Sequence, residues 1–344
     1  MRKKEILART LYGSFSPLRP LLELQSTERL IVLAYHRINE KPGDAYQFQE
    51  DTVSATPAMF REQLAFLKRR CFVTTFSELA ALISSGENIP RNTVIITFDD
   101  GYRDNYDIAL PILSEFDLPA VVYVVTGNID SGQPFWFDLL SFALANAPNG
   151  TLRVLNGRHS FEVFDNNRKL LRRTFGDLAR RLSDEERLQV ISEILDYSNS
   201  RAHLLEQERM VLSWSEVEEL HSAGLEIGSH TVSHPFLSRL SDDQIKSELS
   251  DSRHRIESMI GSPAISLSYP TGGKEFYDDR VLKIAESCGY QFSVTYEHDA
   301  LPYSDKMRFE IPRVHVELDV SQALFRANSL MPAVFLRSLP SEVA

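Results

Sequence analysis

Short apolar runs recur along this chain, and they constrain its fold more than any other feature. Six of them have the length and composition of β-strands, at residues 30–35, 93–98, 120–125, 225–230, 264–269 and 291–296. Apolar residues with helical spacing lie between many of these runs, as at Ile245, Leu249, Ile256 and Ile260. Strands that are apolar on both faces and alternate with helices predict a parallel sheet covered by helices. In such folds the chemistry lies at the carboxyl ends of the strands.

One segment, at about 131–212, interrupts this alternation of strands and helices. The stretch TLRVLNGRHSFEVF predicts a β-hairpin that turns at Asn156 and Gly157. Two charged helical patterns follow it, and the second begins at Ser183. We therefore expect a hairpin-plus-helix insertion within one larger α/β domain.

Composition and charge exclude several classes of protein. The chain has 344 residues and a formal net charge of −11. A general nucleic-acid-binding protein is normally basic, so no nucleic-acid partner is expected. Two cysteines are too few for a disulfide framework or a cysteine-rich zinc site. No apolar stretch approaches the roughly 20 residues that a membrane span requires.

Residues 1–29 combine basic side chains with Leu and Phe, and we expect a helical extension that precedes the main domain at 30–344. Glu5 and Arg9 interrupt the apolar run that a signal peptide needs, which favours a cytoplasmic enzyme. Two placements of the extension stay open. It packs on the domain, or it lies on an anionic membrane surface at the inner face.

Two adjacent carboxylates end the strand-like run VIITFDDG at 94–101. Neighbouring side chains of a regular strand face opposite ways, so Asp99 and Asp100 can share a site only where the backbone turns. Gly101 gives the backbone that freedom. By itself, an Asp-Asp-Gly sequence is more typical of a surface turn.

A second polar pair is His230, which ends the strand-like run at 225–230, and His234, which follows it. Residues four apart share one face of a helical turn, which suits a metal ion. The pair alone is weak, because a chain with nine histidines can contain such a spacing by chance. One carboxylate and two imidazoles together make the open three-ligand site of a catalytic Zn²⁺. The second carboxylate could then act as a base beside the metal.

These motifs resemble those of the polysaccharide deacetylase family that has the NodB homology domain, carbohydrate esterase family 4. TFDDG at 97–101 and HTVSHPFLS at 230–238 carry the resemblance most specifically. LAYHRI, FREQLAFLKRR and YPTGG look like the subgroup that deacetylates amino sugars of exopolysaccharides. The resemblance covers most of 30–320 and implies a distorted (β/α) barrel.

The resemblance also implies a role for each matching residue. Asp99 would be the general base, and the metal ion, most favourably Zn²⁺, would be held by Asp100, His230 and His234. The residues of the substrate groove would be Tyr269, Pro270, Thr271 and Gly272. The backbone N–H of Thr271 would help to hold the oxyanion.

Three further positions carry alternatives. The early motif implies His36 as the general acid, with His315 as the late alternative. The family usually has an arginine where Ser268 stands, and Arg313 is the substitute that we expect to steady the base. Trp136 could stack on a sugar ring, but packing in the core is an equal alternative.

The function that the resemblance implies is a metal-dependent hydrolase. It would remove N-acetyl groups from amino sugars of a polysaccharide or of its lipid-linked precursor, so the partner would be an N-acetylated glycan. Two alternatives stay open: a deformylase or O-acetyl esterase on the same fold, and a catalytically inactive carbohydrate-binding protein. Retention of both aspartates and both histidines argues against the inactive protein.

Overall fold

The computed structural model describes residues 2–12, 30–43, 47–201, 203, 208–300 and 302–336. The chain forms two compact units. The first comprises residues 1–41, 53–130 and 212–344, and the second comprises 42–52 and 131–211. The first unit carries all the predicted site residues except Trp136, which lies in the second.

The strands are numbered in chain order. They are β1 (Leu30–Tyr35), β2 (Arg37–Ile38), β3 (Val53–Ala55), β4 (Phe72–Thr74), β5 (Thr93–Phe98), β6 (Val121–Val124), β7 (Gly150–Val154), β8 (His159–Val163), β9 (Glu226–Ser229), β10 (Ser266–Ser268), β11 (Phe292–His298) and β12 (Ile311–His315).

Seven of these strands close into a parallel barrel, which confirms the predicted fold. Their order is β1, β12, β11, β10, β9, β6 and β5, and β5 pairs back with β1. The short β4 pairs with the first half of β5, and β6 pairs with its second half. Every residue of β1 and of β5 is buried, as their predominantly apolar sequences predict.

The helices are α1 (Arg2–Tyr12), α2 (Pro57–Arg70), α3 (Phe76–Ser85), α4 (Leu110–Glu115), α5 (Thr126–Ser131), α6 (Trp136–Asn146), α7 (Arg168–Ala179), α8 (Asp184–Tyr197), α9 (Trp214–Ser222), α10 (Asp242–Ile260), α11 (Asp279–Ser287), α12 (Gln322–Leu330) and α13 (Pro332–Phe335). A π-helical turn, Asn105–Ala109, precedes α4, and 3-10 turns lie at Glu50–Thr52, Leu237–Arg239 and Asp305–Met307.

Strand and helix residues share the core of the first unit. Leu33 and Ile96 of the barrel belong to the same buried cluster as Phe60 and Leu64 of α2. Helix starts follow from local sequence, because α8 and α10 begin with capping boxes at Ser183 and at Ser241. The barrel is therefore covered by amphipathic helices, as the alternating pattern predicts.

The second unit contains the predicted hairpin and helices. β7 and β8 pair in antiparallel fashion, and Asn156 and Gly157 turn the chain with φ angles of 56° and 82°. The hairpin packs with α6, α7 and α8 around a separate core that includes Leu144, Phe175 and Ile194. Residues 42–52 also belong to this unit, which the sequence did not predict.

Helix α1 packs on the first unit. It buries one face, formed by Ala8, Leu11 and Tyr12. The Lys4 ammonium donates a hydrogen bond to the Phe335 carbonyl oxygen at 2.6 Å. Residues 13–29 of the predicted extension lie outside the described residues. In the part of the chain that the structure describes, every helix is too short or too polar to span a lipid bilayer.

Candidate active site

The two aspartates lie at the carboxyl end of β5, inside the first unit. Asp99 is 2% exposed and Asp100 is 3% exposed. The backbone turns sharply at this point, because Asp100 and Gly101 have φ angles of 75° and 70°. A left-handed non-glycine residue is uncommon and often marks a functional site. The turn allows both carboxylates to face one site although they are neighbours in sequence.

Asp100, His230 and His234 come together as one buried group. Each imidazole Nε2 lies 3.5 Å from Oδ1 of Asp100. The three candidate ligand atoms lie within 4.8 Å of one another. Ligand atoms at zinc distances of about 2.1 Å in a tetrahedron are about 3.4 Å apart. The spacing and the donor types therefore fit one small divalent cation.

A backbone contact orients the first imidazole. Nδ1 of His230 lies 2.7 Å from the carbonyl oxygen of Ser268, so the Nδ1–H must donate this hydrogen bond. The Nε2 lone pair then faces Asp100, which is the state that a metal ligand requires. Burial lowers the pKa of His230, although the charge of Asp99 opposes this change, and the ring is neutral at pH 7.

The two histidines reach this group without a helix, so the expected helical turn is wrong. Residues 231–236 form an irregular loop after β9. Thr231 and His234 have φ angles of 70° and 56°. The backbone N–H of His234 donates to Oγ1 of Thr231 at 3.1 Å, which closes the turn. The left-handed backbone at these two positions, and not a helical turn, brings both imidazoles to Asp100.

Arg313 of β12 makes a bidentate ion pair with Asp99. Nη1 lies 2.8 Å from Oδ1, and Nη2 lies 2.6 Å from Oδ2. The guanidinium also donates to the Thr295 carbonyl oxygen at 2.8 Å and to Oγ of Ser268 at 3.0 Å. Ser268 stands where the family usually has an arginine, and Arg313 is expected to replace that arginine. The structure shows that these two residues are hydrogen-bonded to each other.

This ion pair controls the charge of Asp99. Burial alone would disfavour the carboxylate, but the charge and hydrogen bonds of Arg313 outweigh that effect. The pKa of Asp99 consequently lies well below its usual range. The carboxylate is ionised at any pH near neutrality.

His36 directly follows β1, and its backbone is fixed on both sides. Its N–H donates to Oγ of Ser54 at 2.9 Å, and its carbonyl oxygen accepts from Nδ2 of Asn105 at 2.8 Å. Burial lowers the pKa of His36 to about 4, although the charge of Asp99 opposes the change. The ring is neutral at pH 7. Sequence reasoning missed Ser54 and Asn105, because both act on backbone atoms.

His315, the alternative general acid, is engaged elsewhere. Its ring stacks on Tyr296 with centroids 3.7 Å apart and an interplanar angle of 13°. Its Nε2 lies 3.1 Å from the Tyr296 carbonyl oxygen. Burial lowers the pKa of His315 to about 3. One face and one nitrogen of this ring are therefore occupied by the protein.

The YPTGG segment follows Ser268, the residue that contacts His230 and Arg313. Pro270 and Gly272 are buried, whereas Thr271 is partly exposed and has a φ angle of 63°. The Tyr296 N–H donates to the Gly272 carbonyl oxygen at 2.8 Å. The segment is thus fixed to β11 in a left-handed conformation that presents Thr271.

The side chains of Tyr269 and Trp136, two of the predicted substrate-binding residues, each contact other residues of the protein. Tyr269 is 1% exposed, and its hydroxyl donates to the Phe309 carbonyl oxygen at 3.0 Å. The ring therefore lies in the core, and a role of Tyr269 in binding substrate stays a prediction. In the second unit, the guanidinium carbon of Arg187 lies over the Trp136 ring, 5.2 Å from the ring centroid. Stacking of Trp136 on a sugar stays a prediction.

Replacing Gly272 with alanine is expected to destabilise the protein by at least about 2 kcal/mol and to abolish activity. A Cβ at this position would lie 2.3 Å from the Tyr296 backbone nitrogen, and the φ angle is +56°. Gly261→Ala is the matched control, since its φ angle is +67° but no atom lies within 4 Å of the added Cβ. Chemical denaturation measures both variants. Equal losses of stability would contradict the crowding at Gly272.

The fold and the site together define an α/β barrel with a candidate metal centre. The family profile described as polysaccharide deacetylase matches residues 86–293. This match covers more than half of the chain, and the protein belongs to the polysaccharide deacetylase family.

Individual relatives agree with this assignment. A Bacillus subtilis (strain 168) protein named "Putative polysaccharide deacetylase YxkH" is 22% identical over 307 residues, covering 89% of this chain and 78% of that protein. A poly-beta-1,6-N-acetyl-D-glucosamine N-deacetylase of Escherichia coli (strain K12) is 26% identical over 102 residues, 29% of this chain and 14% of that protein. The structure of Streptococcus pyogenes deacetylase PplD in complex with acetate matches with a TM-score of 0.59 and 19% identity, covering 91% of this chain and all of that one. This last likeness shows the fold alone.

Proposed function

We propose that this protein is a metal-dependent N-deacetylase. Its substrate would be the amino sugars of a polysaccharide or of its lipid-linked precursor. The observation that carries the proposal is the buried group of Asp100, His230 and His234 next in sequence to an aspartate that Arg313 keeps ionised. These three residues would hold a divalent cation, most favourably Zn²⁺. When bound, the cation would supply Lewis acidity to the acetamide carbonyl and to water.

Asp99 would take the proton of the attacking water. Its low pKa keeps it ionised but also makes it a weak base. The Arg313 ion pair would keep this base ionised and fixed in orientation before substrate binds.

His36 would deliver a proton to the departing nitrogen. The C–N bond of an amide cannot break at neutral pH until nitrogen is protonated, and hydrolysis moves one proton from water to that atom. His36 is neutral at rest, so the proton that Asp99 takes from water would pass to the His36 ring and then to the nitrogen, which leaves Asp99 ionised and His36 neutral again. His315 is a poorer candidate, because its Nε2 contacts the Tyr296 carbonyl oxygen.

The backbone N–H of Thr271 would stabilise the oxyanion, which is usually the largest single catalytic effect. Two observations support this role. Thr271 is partly exposed in a left-handed conformation, and it lies three residues from Ser268, which contacts both His230 and Arg313.

Product analysis tests the proposed reaction. The zinc-loaded protein would be incubated with oligomers of β-1,6-linked N-acetylglucosamine, and released acetate and free amine would be quantified. Equal amounts of both are expected. Acetate without amine, from an O-acetylated glycan only, would indicate an esterase. Formate from an N-formyl sugar only would indicate a deformylase. Binding of the glycan without any product would contradict an enzyme.

Replacing His36 with glutamine is expected to lower kcat for the acetamide about 10²-fold or more. Hydrolysis of an activated aryl acetate should change much less, because a phenolate leaves without protonation. His315→Gln is the matched comparison and should preserve the acetamide reaction better. If His315→Gln is the variant that loses only the acetamide reaction, the assignment of the acid is wrong.

We also propose that the protein contacts an anionic membrane through α1. Ile6 and Leu7 are 65% and 43% exposed, and Lys3 and Arg9 lie exposed beside them. Apolar and basic residues on one helix face suit an anionic bilayer surface. Co-sedimentation with anionic vesicles, absent with neutral ones, is expected to be lost in the Ile6→Ser, Leu7→Ser double variant. Equal sedimentation of that variant would contradict the proposal.

A further inference from the structure

The loop between the two histidines is held from outside by one carboxylate. Oε2 of Glu248, on α10, accepts the backbone N–H groups of Val232 at 2.8 Å and of Ser233 at 3.0 Å. Oε1 accepts the Ser233 hydroxyl at 2.6 Å. Hydrogen bonds to a carboxylate are among the stronger ones in proteins. Glu248 thus fixes two consecutive residues between His230 and His234.

The same helix face reaches the start of the loop one turn later. Ser252 of α10 lies four residues after Glu248, and residues at that spacing share a helix face. The hydroxyls of Ser252 and Ser229 are 2.6 Å apart, and Oγ of Ser229 accepts the Thr231 N–H at 3.2 Å. Three consecutive residues of the turn, 231–233, are therefore connected to α10.

The opposite side of the loop is fixed by the first turn of α5. The N–H of Thr126 donates to the Thr231 carbonyl oxygen at 3.2 Å, and the N–H of Gly127 donates to the Val232 carbonyl oxygen at 2.9 Å. A Cβ on Gly127 would lie 2.6 Å from the Val232 carbonyl oxygen. The loop backbone is thus clamped between two elements of the first unit.

The hydrogen bonds from α10 and α5 hold the loop in a strained backbone conformation. The φ angles of +70° at Thr231 and +56° at His234 are unfavourable for residues with a Cβ, by roughly 1 kcal/mol or more each. Such a conformation persists only when its surroundings impose it. Without Glu248, the loop could relax and turn the second imidazole away from Asp100.

We propose that Glu248 is a positioning residue that presets the loop so that both imidazoles face Asp100 before a cation binds. This inference rests on the proposed function, because it concerns the same cation. Glu248 itself is not one of the candidate ligands, and its carboxylate is occupied by the loop. Its effect would therefore appear in cation affinity.

The test is the zinc affinity of the full-length apo-protein, measured by competition with a fluorescent chelator. Glu248→Ala is expected to lower the affinity about 10- to 100-fold, the usual effect of losing an outer-shell partner. Glu248→Gln should lie between this variant and the wild type, since an amide can accept but carries no charge. Asp251→Asn on the same helix removes an exposed carboxylate that contacts Ser250, and it should bind zinc as the wild type does.

Thermal unfolding of each apo-protein shows which variants are folded. If Glu248→Ala fails to fold, Glu248→Gln decides: weakened affinity in a folded protein supports the inference, and unchanged affinity overturns it. A loss of zinc affinity in Asp251→Asn as large as that in the Glu248 variants would also overturn the inference, because both would then reflect only the change in net charge. Wild-type affinity in Glu248→Ala would overturn the positioning role alone. Absence of zinc binding by the wild type would overturn both this inference and the proposed function.

Discussion

Replacing Asp99 with asparagine is expected to lower kcat for acetamide hydrolysis about 10²- to 10⁴-fold while zinc binding persists. Asparagine keeps the size of the side chain and one acceptor oxygen, but it cannot take a proton from water. Arg313 would still have Ser268 and Thr295 as partners, so the local structure should survive. Steady-state kinetics and zinc titration of the same preparation measure both effects.

Asp100→Asn is the matched control for this result, since it changes the neighbouring carboxylate in the same way. Here the zinc affinity should fall together with the activity, because Asp100 would be a ligand and not the base. The opposite pattern, with zinc lost in Asp99→Asn and retained in Asp100→Asn, would mean that the two carboxylates have exchanged roles.

Replacing Arg313 with methionine is expected to lower the free energy of unfolding by about 3–5 kcal/mol and to abolish activity. Arg313 is fully buried and forms both hydrogen bonds of the Asp99 carboxylate with its guanidinium. Its removal would leave a buried charge without a counter-ion, and the pKa of Asp99 would rise. Urea denaturation at pH 7 measures the loss of stability.

Two further variants make this prediction specific. In the double variant Arg313→Met, Asp99→Asn, much of the lost stability should return because no buried charge remains, while activity stays absent. Arg61→Met breaks an exposed ion pair with Glu115, which solvent screens, and it should leave the free energy of unfolding almost unchanged. A loss for Arg313→Met as small as that for Arg61→Met would contradict a structural role for the buried pair.

The sequence predicts much of the barrel, and its failures have physical causes. β1 and β5 are predominantly apolar and wholly buried, so their bounds follow from composition. β12 escapes this reasoning because Pro312 and Arg313 interrupt its apolar pattern, although both are buried in the barrel. Ser268 contacts His230 and Arg313. Because neighbouring side chains alternate in direction, the side chain of Tyr269 lies in the core.

The candidate site can also be predicted from the sequence only in part. The aspartates and histidines are recognisable because their residue types and order carry the chemistry. The loop geometry cannot be predicted, because nothing in the sequence marks Thr231 and His234 as left-handed. The role of Glu248 is equally hidden, since it binds backbone N–H groups that every non-proline residue has.

The zinc content of the purified protein, measured beside Asp100→Ala and His230→Ala variants, decides the proposed ligand set. The proposed site predicts about one ion per chain in the wild type, given one carboxylate and two imidazoles as ligands. Both variants should lose the ion. Equal zinc in all three proteins would contradict the ligand set, and no zinc in any of them after incubation with the metal would contradict a metal-dependent enzyme.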